Sequence, residues 1–176
     1  MFLETDRLIL RKLEESDFAD YCSYNLNDPE RDRMMGRDPL DSIAAVRRNF
    51  DWLKDREPRA YALVLKETGR MIGNLTVYDH LSLPELPELH NKTGKGMSFG
   101  ISRQYQRQGL MEEAVRGVIS HLFTRESVDF INCGCFDDNI PSLALQRKLG
   151  FVHLLTDRFE ISGQEVTAIE NILWRT

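Results

Sequence analysis

Apolar residues recur along the chain at two spacings, the three-to-four-residue repeat of amphipathic helices and the two-residue repeat of strands. The longest helical stripe predicts a helix over residues 110–124, and a second stripe predicts one from about Ser42 to Asp55. Shorter helices are expected after Ser16, a candidate N-cap, and over residues 140–149, ahead of Gly150. The longest stripe consists of Leu110, Ala114, Val115, Val118, Ile119, Leu122 and Phe123.

The remaining apolar runs are short and lie between turn residues, which is typical of strands. Gly69 in the segment KETGR predicts a hairpin turn between two of them. Helices separate several later strands, and strands joined through a helix are generally parallel neighbours. The chain is therefore expected to be an α/β protein with a mixed sheet. The expected strands cover residues 8–13, 59–65, 71–78, 95–102, 130–136, 153–161 and 165–174.

The chain has 176 residues, which favours one domain, because two would each be near the lower limit for an independent core. Hydrophobic residues make up 41% and charged residues 29%, as in a soluble globular protein. No run approaches the roughly 20 apolar residues of a membrane-spanning helix. The opening MFLETDRLILRKL carries charges within its apolar stretch, unlike a signal peptide, so a cytoplasmic protein is expected.

Net charge and cysteine content indicate which classes of ligand the protein is expected to bind. The 23 basic and 28 acidic residues give a net charge of −5, which argues against nucleic acid and anionic membranes and is compatible with a cationic acceptor. The three cysteines are Cys22, Cys133 and Cys135, an odd number that indicates reduced thiols. Cys133 and Cys135 form a lone C-x-C without the second ligand pair of a zinc site, so structural thiols and no metal are expected.

A polar turn stands out between the strand at residues 95–102 and the long helix. It reads R-Q-Y-Q-R-Q-G-L, with Arg103 and Arg107 in the turn and Gly109 directly before the helix. The first N–H groups of a helix have no internal partner and bind anions, and neighbouring arginines add charge-assisted bonds to phosphate. By itself, the turn fits both a phosphate site and an ordinary polar loop. Because it has neither a Walker nor a dinucleotide-binding pattern, ATP and NAD are not supported.

A second polar segment, DDNIPSLALQRKLGF, follows the strand at residues 130–136. It places Asn139 at the end of that strand and Ser142 in the first turn of the next helix. Taken alone, Asn139 is most simply a helix cap and Ser142 a helix-start residue. The segment becomes informative in combination with the first turn.

Together, the two segments resemble the GNAT acetyltransferase superfamily. A Q-x-x-G turn is followed about 30 residues later by N-x-x-S-x-x-L-x-x-K-L-G-F, and these are the stretches that carry the acetyl-CoA site in that superfamily. The run YQRQGLM at residues 105–111 and the opening ETDRLILRKL look like the ribosomal-protein (Rim-type) N-acetyltransferases. The resemblance implies a single N-acetyltransferase domain over residues 1–176. It also implies a mixed, mostly antiparallel sheet of six to seven strands, with a V-shaped splay between its central strands and about four flanking helices.

The resemblance also implies a binding site for acetyl-CoA. The turn residues would wrap the coenzyme A pyrophosphate with backbone N–H groups, and the main chain of Gly100 and Ile101 would pair with the pantetheine arm. Asn139 would bond the arm or a nearby water, and Ser142 would protonate the leaving thiolate. The turn residues concerned are Gln106, Arg107, Gln108, Gly109, Leu110 and Met111.

Three positions depart from the superfamily pattern. Many members have Gly or Ala where this chain has Met111, a tyrosine acid where it has Gln146, and a glutamate base where it has Gly96-Met97-Ser98. Ser142 is then the default acid, and the general base is unassigned. A water held by backbone carbonyls is the favoured base, and the side-chain candidates in the loop at residues 79–95 are His80, His90 and Glu88.

The function implied is acetyl-CoA-dependent transfer of an acetyl group to a primary amine by direct attack in a ternary complex, without an acyl intermediate on Cys135. The acceptor would be a peptide N-terminus or a small-molecule amine, and the enzyme a monomer or homodimer. The missing glutamate and tyrosine leave open an alternative, a non-catalytic acyl-CoA-binding or sensory domain on the same fold. Four acids could give the acceptor pocket a negative field: Asp79, Glu85, Glu88 and Glu170.

Overall fold

A computed structural model of the chain describes residues 2–55, 60–79, 86–161 and 164–175. The chain divides into two compact units, each built from two stretches. The first is Met1–Tyr78 with Phe99–Val118, and the second is Asp79–Ser98 with Ile119–Thr176. One strand and one helix contribute residues to both units. The single domain expected over residues 1–176 stays a prediction.

The first unit contains an antiparallel meander of four strands. The last two are buried along almost their whole length, which explains why they appear in the sequence as continuous apolar runs. The predicted hairpin turn joins them, with the Leu65 N–H donating to the Arg70 carbonyl at 2.9 Å and Gly69 at a φ of 68°. The strands are β1 (Leu3–Glu4), β2 (Leu8–Lys12), β3 (Ala60–Leu65) and β4 (Met71–Asp79).

Two of the three helices in the first unit, the first and the third, build its aromatic core. Phe18 and Tyr21 both contact Phe50, with ring centroids 5.5 and 5.3 Å apart. The prediction that Ser16 is an N-cap is wrong. Glu14 and Asp17 instead form a capping box around a short 3-10 turn. The helices are α1 (Phe18–Asn25), α2 (Pro29–Met34) and α3 (Ile43–Asp55).

The second unit is built around one parallel and two antiparallel strand pairs. The middle strand of the unit pairs in parallel from Gly94↔Phe130 to Gly96↔Asn132, and antiparallel on its other side. The two parallel strands pair at three positions, although within this unit one of them continues to Ser98 and the other to Phe136. Their pairing thus stops before the strands do, in keeping with the expected splay. The elements are β5 (Gly94–Ile101), α4 (Leu110–Arg125), β6 (Phe130–Phe136), α5 (Ile140–Lys148), β7 (Val152–Ile161) and β8 (Gln164–Trp174).

The mixed, mostly antiparallel α/β architecture is confirmed, with two corrections to the expected counts. The described residues form eight strands and five α-helices, rather than six to seven strands and about four helices. The additional strand, β1, has two residues, and the additional helix, α2, has six. Elements this short show no hydrophobic period, and α2 begins at Pro29, where the sequence indicated only the end of the preceding helix.

Candidate active site

The polar turn between β5 and α4 lies in the first unit and holds the predicted phosphate-binding residues in one short stretch. After a 3-10 turn at Arg103–Tyr105, Arg107 and Gly109 adopt left-handed backbone conformations, with φ of 61° and 76°. A non-glycine residue in this region is unusual, and turns of this kind direct successive N–H groups to one side. Residues 106–109 are exposed, so the backbone of the turn is accessible to an anion.

Side chains within the first unit use the carbonyl groups of this turn. Arg7 Nη1 donates to the Gln108 carbonyl at 3.0 Å, while Arg7 Nε donates to Glu113 at 2.7 Å. The Gln108 side chain donates to the Gln104 carbonyl at 2.8 Å. The Glu113 N–H donates to the Gly109 carbonyl at 3.0 Å, and the N–H groups that precede it have no partner inside the helix. The turn therefore presents donors rather than acceptors.

The two arginines of the turn have different surroundings. Arg103 is paired at 2.8 Å with each of Asp28 and Glu30, and the hydrogen bond that Arg103 donates to Asp28 raises the pKa of Arg103. Its charge is used within the protein, so the expectation that it adds to a phosphate site is not supported. Arg107 is exposed, and no acidic partner for its side chain is found in the part of the chain that the structure describes. Arg107 is therefore the arginine of this turn suited to an anionic ligand.

The last two residues of the predicted phosphate turn contribute backbone groups only. Leu110 and Met111 are 3% and 9% exposed, so their side chains belong to the apolar core. Met111 stands where many members of the superfamily have a smaller residue. Its burial shows that the departure is accommodated inside the protein and leaves the start of α4 in place.

The main chain of Gly100 and Ile101 is partly engaged within the first unit. Arg31 Nη2 donates to the Ile101 carbonyl at 2.7 Å, and a Cβ added at Gly100 would meet Arg31 Nη1 at 3.3 Å. Arg31 is stacked over the Tyr24 ring, 5.1 Å from its centroid, and burial lowers the pKa of its guanidinium. The Ile101 carbonyl is thus occupied by Arg31, and the pantetheine contact expected of this pair stays a prediction.

In the second unit, Asn139 and Ser142 lie together at the start of α5. Asn139 is the helix cap, because its Oδ1 accepts from the Ser142 N–H at 3.2 Å. The Ser142 side chain accepts a hydrogen bond from Gln146 Nε2 at 3.0 Å. The same Nε2 also donates to Cys135 Sγ at 3.4 Å, so the serine hydroxyl and the thiol share one donor.

Gln146 organises this part of the second unit, a role that the sequence analysis missed. It is 1% exposed, and its Nε2 reaches both Ser142 Oγ and Cys135 Sγ, the latter at 3.4 Å. Its Oε1 accepts from Asn171 Nδ2 at 2.7 Å. Gln146 therefore connects β6, α5 and β8 through its hydrogen bonds, in addition to replacing the tyrosine that many members of the superfamily have at this position. Its spacing of four residues from Ser142 on one helix face was the available signal.

The thiols of the second unit are protonated at neutral pH. Burial raises the pKa of Cys133 well above its usual range, and burial also raises the pKa of Cys135 despite hydrogen bonds from Ser142 and Gln146. A nucleophilic cysteine needs a lowered pKa. The surroundings of Cys135 therefore disfavour an acyl-enzyme intermediate.

Glu170 is the acid of the second unit with the most unusual surroundings. It lies on β8 directly opposite Gly134 of β6, and its carboxylate accepts a hydrogen bond from Asn132. Burial raises the pKa of Glu170, although the bond from Asn132 acts in the opposite direction. The sequence analysis counted Glu170 among the acceptor-pocket acids but not as a base. Its place beside β6 depends on strand register between residues far apart in sequence.

The predicted side-chain candidates for the base, and the remaining predicted acids of the acceptor pocket, gain no support from the described residues. His80 and Glu85 lie outside the described residues, as does the side chain of Glu88. His90 is exposed after a short 3-10 turn. Asp79 is also exposed, and it pairs with Lys95 at 2.6 Å. The role of each of these residues stays a prediction.

Neither a candidate metal cluster nor a membrane-spanning helix occurs among the described residues. No group of three or more His, Cys, Asp or Glu side chains among them could hold a metal ion. In the same part of the chain, every helix is too short or too polar to cross a bilayer.

Comparison with known proteins places the chain among acetyltransferases. A family model described as an acetyltransferase (GNAT) domain matches residues 7–152, a span that includes both the polar turn and the start of α5. An uncharacterized N-acetyltransferase, p20, from Bacillus licheniformis is 25% identical over 154 residues, which cover 85% of this chain and 81% of that protein.

Solved structures with low sequence identity share the fold over nearly the full length. An acetyltransferase (GNAT family) from Bacillus anthracis has a TM-score of 0.81 at 16% identity, covering 99% of this chain and 98% of that one. A spermidine N-acetyltransferase from Vibrio cholerae, in complex with CoA and spermine, has a TM-score of 0.73 at 18% identity, and the match covers 96% of this chain and 95% of that one. A ribosomal-protein-S5-alanine acetyltransferase from Vibrio fischeri has a TM-score of 0.69 at 17% identity, and the match covers 99% of this chain and 96% of that one. These likenesses show the fold alone and do not single out the ribosomal-protein type.

Proposed function

Because the chain belongs to the acetyltransferase (GNAT) domain family, we propose that it transfers the acetyl group of acetyl-CoA to a primary amine by direct attack in a ternary complex. The family supports acetyl transfer to amines. The proposal adds the route of the acetyl group, the residues that serve each step and the nature of the acceptor.

The observation that carries the proposal is the backbone of the turn at residues 106–111. Left-handed conformations at Arg107 and Gly109, exposed residues and a helix beginning at Leu110 together form a donor-rich turn of the kind that binds anions. A diphosphate fits this arrangement, since Arg107 supplies a positive charge with no described acidic partner. We assign the pyrophosphate of acetyl-CoA to this turn, with Gln106, Gln108 and Met111 contributing main-chain groups.

The second unit supplies groups suited to the departing thiolate. Thioester aminolysis needs a neutral amine, stabilisation of the developing oxyanion and a proton for the thiolate. Ser142 Oγ and Cys135 Sγ accept hydrogen bonds from the same Gln146 Nε2, so the serine hydroxyl lies beside a sulfur atom and is held in place. We propose that Ser142 donates its proton to the coenzyme A sulfur, and that Asn139 positions the pantetheine arm or a water next to it.

The acceptor is proposed as a class, a primary amine of a polyamine or of a peptide N-terminus. Two structural relatives of the same fold carry names for these two classes, spermidine and a ribosomal protein. A peptide α-amine has a reference pKa near 8, whereas an alkyl amine is near 10.4 and needs more help from a base. The two classes therefore place different demands on the enzyme.

The deciding experiment measures binding and chemistry separately. Calorimetry with coenzyme A tests the turn, and free-thiol release from acetyl-CoA is followed with a panel of peptide and polyamine acceptors. We expect binding, together with thiol release that depends on the amine and yields an acetylated product by mass spectrometry. Binding without amine-dependent release would favour a non-catalytic acyl-CoA-binding domain, and absence of binding would contradict the assignment of the turn.

A further inference from the structure

The carboxylate of Glu170 occupies the space above a glycine of β6. Gly134 is the residue of β6 in register with Glu170, and a Cβ added at Gly134 would collide with Glu170 Oε2. Residues directly opposite each other on antiparallel strands project to the same face of the sheet. The absence of a side chain at Gly134 is therefore what lets this carboxylate lie across the backbone of β6.

A neighbouring amide fixes the orientation of this carboxylate. Asn132 is 7% exposed, and its Nδ2 donates to Glu170 Oε1, so one carboxylate oxygen is held by a buried donor. The other oxygen lies over Gly134, which is itself exposed. The carboxylate thus has one oxygen bonded inside the protein and one at an accessible position.

Glu170 also differs from other acids in lacking a cationic partner. Within the described residues, no lysine or arginine pairs with it, whereas Arg47 lowers the pKa of both Glu15, to about 2, and Asp51. Burial raises the pKa of Glu170 instead. A half-buried carboxylate without a countercharge is suited to receiving a proton or a cation.

We infer that Glu170 is the general base of the acetyl transfer and receives the proton of the acceptor amine; the inference rests on the proposed function. The bond between the amine nitrogen and the acetyl carbon forms while the carbon–sulfur bond breaks. The nitrogen loses one proton to Glu170, and the coenzyme A thiolate gains one from Ser142 or a water that it holds. Glu170 then returns its proton to solvent and Ser142, or its water, takes one proton from solvent, so the sum is amide, free thiol and an unchanged enzyme.

The two proton positions lie on opposite faces of β6. Successive side chains of a strand alternate between faces, so Gly134 and Glu170 lie on one face and Cys135 on the other. Ser142 Oγ shares the Gln146 donor with Cys135 Sγ and so serves that second face. Acyl transfer to an amine needs one group that accepts a proton and another that delivers one, and the two faces keep these groups apart.

The titratable groups around Glu170 are few. The thiols of Cys133 and Cys135 lie on β6, and burial keeps both protonated. On β7, His153 is in register with Asn171, the residue next to Glu170, and hydrogen-bonds Thr156. The low-pH limb of kcat/KM is therefore expected to follow Glu170, at a pH above the ordinary glutamate range because its pKa is raised.

The test compares Glu170→Gln with Glu165→Gln, an exposed glutamate of the same strand. Glutamine keeps an oxygen for the Asn132 bond but cannot take a proton. For an alkyl amine, which attacks in its neutral form, kcat/KM should fall by about 100-fold or more in Glu170→Gln, and the limb that belongs to Glu170 should disappear, which leaves only the rise toward the amine's own pKa. The Kd for coenzyme A and the Glu165→Gln rates should be unchanged. Glu170→Asp should be slow but keep the limb.

A second acceptor separates catalysis from a structural effect. An acyl hydrazide is neutral at the assay pH, and its weakly basic nitrogen gives up its proton to water readily during attack, so the Glu170→Gln loss should shrink below about tenfold. Equal losses on both acceptors, or an unchanged pH profile, would overturn the role of Glu170 while the wild-type activity upheld the proposed function. A wild-type protein that binds coenzyme A yet acetylates no amine would overturn both.

Discussion

The polar turn before α4 and the network at the start of α5 perform their proposed tasks with different parts of the chain. The turn would use backbone N–H groups and one exposed arginine, and its residues 106–109 are exposed to solvent. The α5 region would use side chains instead. Gln146, which is 1% exposed, forms hydrogen bonds with Ser142, Cys135 and Asn171. A backbone site depends on conformation, whereas a side-chain network depends on residue identity. Substitutions should therefore separate the two regions.

The largest effect is expected from Ser142→Ala, which removes the proposed proton donor. General acid catalysis is typically worth about 10²–10⁴-fold, and a thiolate is already a good leaving group, so we expect a kcat loss near the low end, about 100-fold. KM for acetyl-CoA should stay similar. Steady-state kinetics check this, with a thermal melt to confirm folding. A loss below about threefold would leave Ser142 as a helix-start residue only.

The next effect concerns stability, in the network of buried side chains. Gln146→Leu leaves the buried Asn171 amide without its acceptor, which typically costs about 1–3 kcal/mol of unfolding free energy. Urea unfolding measures this, with Arg147→Gln on the exposed face of the same helix as the control. Equal stability of the two variants would mean that Gln146 does not hold β6, α5 and β8 together.

A smaller effect is expected from the backbone of the turn. An added Cβ at Gly109 would meet only Arg7 Nη2, at 3.5 Å, so space is available and the strain comes from the φ of 76°. A left-handed non-glycine residue costs about 1–2 kcal/mol, so Gly109→Val should weaken coenzyme A binding by roughly tenfold. Gly69→Val is the matched control, since Gly69 has a φ of 68° and open space in a hairpin far along the chain. It should lose stability but not coenzyme A affinity.

The arginines of the turn offer a second matched pair. Arg107→Gln removes the exposed charge and should weaken coenzyme A binding about three- to tenfold, more at low salt than at high salt. Arg103→Gln removes a charge that Asp28 and Glu30 already use, so its effect on affinity should be under twofold at moderate ionic strength. Calorimetry at two salt concentrations checks both. The reverse order of effects would reassign the phosphate contact to Arg103.

The smallest effect expected is a gain in stability from Glu170→Gln. Because the pKa of Glu170 is raised in the folded state, its contribution is present at low pH and is lost as pH rises through the folded pKa. The variant should therefore lose this pH dependence and melt slightly higher at neutral pH. Thermal melts between pH 4 and 8 are the measurement, against Glu165→Gln. A variant that melts lower at every pH would show that the carboxylate stabilises the fold.

The two regions also differ in how far the sequence predicts them. The turn and the cap at Asn139 are local patterns, so residues 106–111, Asn139 and Ser142 could be selected from spacing and resemblance alone. Glu170 lies opposite Gly134 through the register of β6 with β8, and the link from Gln146 to Asn171 spans 25 residues. No local pattern encodes contacts of this kind. The ion pairs that occupy Arg103 depend on α2, a helix too short to be predicted.

The measurement that tests the central claim most directly is the crossed comparison of Gly109→Val and Ser142→Ala in one set of assays. Each variant is assayed for its Kd for coenzyme A by calorimetry and for kcat at saturating acetyl-CoA with one amine acceptor. We predict that Gly109→Val raises Kd by roughly tenfold and changes kcat less than about threefold, while Ser142→Ala does the opposite. If both variants lowered kcat alike and left Kd unchanged, the division between a binding turn and a catalytic network would be wrong.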